Sequence, residues 1–128
     1  DSYGGQVRQR MDTEGKRVTQ TAQLDGEGAG LGEIQGTLVL EPSSGEIRGT
    51  WRSATRPGTL RLKGRALNDG KVVYLRGAFE PPDDRAPTVP VDLEWTVTDS
   101  RGHLITAYIK VPVVGRVRFA ELALERSH

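Results

Sequence analysis

The chain has 128 residues and no cysteine, which fits one domain around one core and excludes disulfides and thiolate metal sites. Its net charge is +1, its apolar share 35 % and its glycine count 16, a balance that would suit disorder were the apolar residues not set at strict two-residue spacing. No run of 18 apolar residues occurs, so no membrane-spanning helix is expected.

The chain opens on Asp1 rather than Met, which is compatible with a signal peptide or anchoring segment ahead of it. Residues 1–15 are polar and weakly patterned, and read as a weakly structured N-terminal segment. From residue 16 a unit of about ten residues recurs, an alternating stretch closed by a turn rich in Gly, Pro, Asn or Asp. The first such stretch, 16–24, puts Val18, Ala22 and Leu24 on one parity, and the glycine-rich 25–32 follows as a loop. Residues 33–41 align Ile34, Gly36, Leu38 and Leu40, and Pro42 to Gly45 turns the chain. Residues 46–53 align Ile47, Gly49, Trp51 and Ser53 against Arg48, Thr50 and Arg52. The next stretch sets Leu60, Leu62, Gly64 and Ala66 against Arg61, Lys63 and Arg65, and Asn68-Asp69-Gly70 is a hairpin signal.

Residues 71–80 place Val73, Leu75, Gly77 and Phe79 together, and the three prolines of 81–87 then break strand pairing. Residues 89–98 set Val91, Leu93, Trp95 and Val97 inward and Asp92 and Glu94 outward. After a turn at 99–102, residues 103–111 are apolar on both parities. In 116–125 the apolar parity switches between Phe119 and Leu122, which predicts a β-bulge near Ala120. Arg126, Ser127 and His128 read as a tag remnant, leaving 16–125 as the domain.

The predicted fold is all-β, a single-domain antiparallel up-and-down barrel of about eight strands, with a β-sandwich as the alternative. Glycines 36, 49, 64 and 77 all fall on inward parities, where they relieve crowding and permit sharp coiling in a small barrel.

No catalytic, metal or cofactor motif stands out. His103 begins a strand after a turn, where a solvated histidine is ordinary, and one internal histidine makes a poor metal site. No metal and no cofactor are therefore expected. The inward Trp51 and Trp95, with Ser53 as a polar handle and Tyr74 and Tyr108 as further aromatics, are the candidate ligand-binding residues. Between Ile47 and Arg76 there are eight basic residues and one acid, and the alternation puts Arg48, Arg52, Arg61, Lys63, Arg65 and Arg76 on the outer face. That arrangement suits an anionic partner, although the want of interleaved aromatics other than Tyr74 argues against single-stranded nucleic acid. Asp92 and Glu94 are expected to offset part of this charge.

The stretch from Gly36 to Ala54, GTLVLEPSSGEIRGTWRSA, resembles the second and third strands of the avidin family, and LEWTVT at 93–98 is similar to a later strand. The resemblance covers under a quarter of the chain and implies ligand contacts at Trp51 and Ser53. The family's opening strand, with its Gly-x-Trp and ligand-holding Asn, has no counterpart in residues 16–32.

Three functions are compatible with this pattern. The first is a barrel binding a small, largely apolar molecule inside. The second is a cofactor-free cyclase or isomerase that works by folding its substrate. The third is a secreted or envelope interaction module using its basic outer face.

Overall fold

The computed structural model describes residues 2–12, 14–25, 30–67, 71–97 and 102–126. Nine strands form one closed barrel in sequential order: β1 Ser2–Met11, β2 Arg17–Leu24, β3 Glu33–Glu41, β4 Glu46–Ser53, β5 Thr59–Leu67, β6 Val72–Glu80, β7 Val89–Val97, β8 Gly102–Val111 and β9 Gly115–Arg126. The barrel thus wins over the sandwich. The expectation of about eight strands, all antiparallel, is corrected to nine, because β1 forms where residues 1–15 carried little pattern.

An odd strand number has a topological consequence. Each hairpin reverses direction, so the ninth strand runs the same way as the first, and the barrel closes through a parallel β1–β9 seam from Ser2↔Glu121 to Val7↔Arg126. All other neighbours pair antiparallel. Arg126, read from sequence as a tag remnant, is a seam residue; Ser127 and His128 lie outside the described residues, as do the centre of the glycine-rich loop and the turns at 68–70 and 98–101.

The inward parities are those the sequence pattern assigned. Buried Val7, Ala22, Leu24, Ile47, Trp51, Leu62, Leu75, Leu93, Trp95, Ile105 and Leu124 fill one continuous core. The bulge is also present: Ala107 pairs with Ala120 and Tyr108 with Arg118, leaving Phe119 as the extra residue, 45 % exposed. Past that point the β8–β9 hairpin projects beyond its neighbours to a tip at Val113, whose φ of 71° and bond from Val114 N–H to Pro112 O (2.8 Å) define a γ-turn rarely adopted by a β-branched residue.

The inward glycines do two different jobs. A Cβ on Gly36 or Gly49 would lie 2.1 Å from a ring carbon of Trp51, so those two positions leave room for the flat indole. A Cβ on Gly64 would lie 1.7 Å from the Tyr74 carbonyl oxygen, and one on Gly77 1.9 Å from that of Arg61. There it is backbone, not a side chain, that crowds in, as tight coiling of β5 on β6 requires. Gly77→Ala is therefore expected to lower unfolding free energy by about 3 kcal/mol, at the upper end for overpacking. Gly45→Ala, at a turn with φ of 73° and open space around it, is expected to cost about 1 kcal/mol from backbone strain alone. Urea denaturation of the two variants measures both.

Candidate functional site

The two rims of the barrel differ. One carries the β1–β2 and β3–β4 turns, and a cavity of about 400 Å³ opens there. Its apolar wall comes from Met11, Val18, Leu38, Leu40, Ile47, Val73, Leu75, Trp95 and Val97, and its polar groups are Gln9, Gln20, His103 and Arg126. All sit on inward positions of their strands; Arg126 shares the parity of Leu122 and Leu124 and is exposed because it ends β9.

Gln9, Gln20 and His103 form one chain between the two indoles. Trp51 Nε1–H donates to Gln20 Oε1 (3.0 Å), and Gln20 Nε2–H donates to Gln9 Oε1 (2.7 Å). From the other end, Trp95 Nε1–H donates to His103 Nδ1 (2.9 Å). Gln9 Nε2 and His103 Nε2 then meet at 3.4 Å. Gln20 is 3 % exposed and His103 4 %, so the two indole bonds are made away from bulk water, while Gln9 is only half-buried. The rings of Trp51 and Trp95 also touch, with centroids 6.4 Å apart, and the His103 ring stands edge-on to Trp95 at 5.6 Å.

His103 is thus not the solvated histidine its place after a turn suggested. Burial, followed by the charge of Arg126, holds its pKa below the ordinary 6.5. Geometry acts in the same direction, because a protonated ring would present an N–H at Nδ1 to the Trp95 donor. The neutral tautomer that accepts at Nδ1 carries its hydrogen on Nε2.

The sequence-predicted ligand residues fall into three groups. Trp95 lines the cavity. Trp51 lies below it, spanning Gly36 and Gly49. Ser53 is at the opposite rim, where its hydroxyl donates to Leu31 O and accepts from the N–H groups of Thr55 (3.2 Å) and Arg56 (3.1 Å). It fastens loops and is no handle for a ligand at the open rim. Tyr74 and Tyr108 stand on the outside, and their hydroxyls donate to the two oxygens of Glu94 at 3.0 and 3.2 Å. The carboxylate raises the Tyr74 pKa above its ordinary 10.0. Sequence reasoning passed over Gln9 and Gln20. Gln20 had a readable signal, a polar amide on the same parity as Val18, Ala22 and Leu24.

On the outer wall, strand register sets Arg48 opposite Lys63 and Lys63 opposite Arg76, three cations in a row over β4, β5 and β6. They border a shallow groove with Thr50 and Arg61. Arg65 lies one step toward the open rim beside Glu46, and Arg52 toward the other, opposite Gln35. Acids temper this row: Arg48 pairs with Glu46, Arg61 with Glu80 (2.9 Å), and Arg76 with Asp92 (3.9 Å). Arg116 also reaches Asp92 and lies 3.6 Å over the Tyr108 ring.

The fold and site together define a closed nine-strand barrel with a buried amide–imidazole–indole chain below an apolar cavity. No protein-family model matches the chain, and comparison with curated proteins and with solved structures yields no match.

The lowered pKa of His103 gives a signed pH dependence. The unfolded chain takes up the imidazole proton near pH 6.5 and the folded protein only below that, so stability is full above about pH 6.5 and falls as the pH drops toward the folded value. Thermal melts at pH 7.5 and 5.5 are expected to show this loss in the native sequence and a smaller one in His103→Gln.

Proposed function

We propose that this barrel binds a small, largely apolar molecule in the cavity beside Trp95. The supporting observation is the cavity itself: about 400 Å³ of space open at one rim, its wall built from aliphatic side chains and one indole with a few convergent polar groups. A barrel whose interior only needed filling would have larger side chains where Val18, Val73 and Val97 stand. The titratable groups among the described lining residues are His103 and Arg126, a neutral imidazole held by an indole and an exposed cation. The two do not form an acid–base pair, so the cyclase or isomerase alternative would have to act by substrate folding alone.

The test uses the indole in the wall. Titration with a neutral arylamine dye, N-phenylnaphthylamine, is expected to give a saturable change in tryptophan fluorescence. Val73→Trp, which fills the cavity from its apolar side, is expected to weaken that binding about tenfold or more. A flat titration of the native protein would rule the reading out.

A second reading rests on the Arg48–Lys63–Arg76 row. Like charges directly opposite on adjacent strands destabilise a sheet, and an anionic partner laid along the groove would relieve that repulsion. Salt-sensitive binding to heparin-agarose is the expected behaviour, and Arg61, Lys63 and Arg65 changed together to Glu are expected to abolish it with the fold intact. Retention of the triple variant at the native salt concentration would remove this reading.

A further inference from the structure

The hydrogen-bond chain inside the barrel cannot be satisfied along its whole length, and the place where it fails lies in the cavity wall. An indole nitrogen only donates. Trp51 therefore fixes Gln20 with its oxygen toward the indole and its NH₂ toward Gln9, and this fixes Gln9 with its oxygen toward Gln20 and its NH₂ toward His103. Trp95 fixes His103 with Nδ1 as acceptor and the hydrogen on Nε2. The two groups that meet at 3.4 Å, Gln9 Nε2 and His103 Nε2, are then both donors. Turning Gln9, or both amides together, only moves the collision, and turning Gln20 alone adds to it. With Gln9 reversed, two NH₂ groups meet at Gln20; with both reversed, Gln20 offers NH₂ to the Trp51 N–H. A chain of such groups with a donor-only group at each end contains at least one mismatched junction wherever it is drawn.

Both donors at that junction belong to the cavity lining, and Arg126 lines the same cavity and acts electrostatically on His103. Two N–H groups converging below an arginine, at the polar side of an apolar space, form a receptor for an oxygen with negative charge. The geometry points to a carboxylate-headed apolar molecule as the ligand, its oxygen accepting from Gln9 Nε2–H and His103 Nε2–H, with its hydrocarbon part against Leu38, Leu40, Val73 and Leu75. The assignment rests on the binding reading above and adds the chemistry of the head group. Because the imidazole donates as a neutral ring, the site needs no protonated histidine.

Dodecanoate and dodecanol, which share a chain and differ in head group, separate the two ideas by tryptophan fluorescence and calorimetry. The native protein is expected to bind dodecanoate at least about tenfold more tightly than dodecanol, the difference made by charge-assisted bonds. Gln9→Glu carries an acceptor of its own to the junction, able to take the hydrogens of both Gln20 Nε2 and His103 Nε2. This variant is expected to lose the preference for dodecanoate while still binding dodecanol. In the native protein the His103 Nε2–H resonance is expected to shift with dodecanoate and not with dodecanol. Equal affinity for the two probes, or a preference unchanged in Gln9→Glu, overturns the head-group assignment and leaves apolar binding standing. Binding of neither probe, together with a flat dye titration, overturns both.

Discussion

Two indole N–H groups are enclosed in this barrel, and each can only donate a hydrogen bond. An unpartnered buried donor costs on the order of 1–3 kcal/mol, so acceptors have to be brought to them inside a shell of strands whose own backbone groups are committed to ladders. Gln20 and His103 supply those acceptors from β2 and β8. Gln9, on the closing strand β1, stands between them. The seam strand therefore does more than complete the wall, since it brings the residue at which two oppositely directed hydrogen-bond paths meet.

The size of the indoles also shapes the wall. Trp51 can lie flat only because Gly36 and Gly49 offer no side chain beneath its ring. The cavity above it is left open where its apolar lining is mostly Val, Leu and Ile, with Met11 and Trp95 its larger members. The outer surface is organised separately, around carboxylates. Glu94 holds two tyrosine hydroxyls, and Asp92, only 6 % exposed, lies within 4 Å of two arginines. Strand β7 is thus apolar within and acidic outside, and it caps one side of the Arg48–Lys63–Arg76 row.

Eight of the nine strands were legible because their alternation needs no partner to be seen. Even the bulge at Phe119 showed as a change of parity between Phe119 and Leu122. Strand β1 was not legible, since its inward positions are Tyr3, Gly5, Val7, Gln9 and Met11, a series broken by a glycine and an amide. What makes it a strand is the pairing offered by β2 and β9, which is tertiary information. Of the residues around the cavity, Trp95 was singled out from its parity, as was Trp51 beneath it, and Gln20 carried the same signal unread. Parity alone shows that Tyr74 faces outward beside Arg76, whereas the burial of His103 depends on the neighbours that Trp95 and Gln9 become once the barrel closes.

The parallel seam sets where the chain enters and leaves. In a meander with an even strand count the first and last strands run oppositely, and their outer ends meet at one rim. Here Ser2 sits at the rim opposite the cavity while Arg126 lies at its mouth. A circular permutant joining them would need a connector running the whole height of the wall, at about 3.3 Å per residue, where an even barrel would need only a turn. Cargo or a surface tether joined ahead of β1 and one joined after β9 would likewise stand on opposite sides, and only the second would lie over the opening.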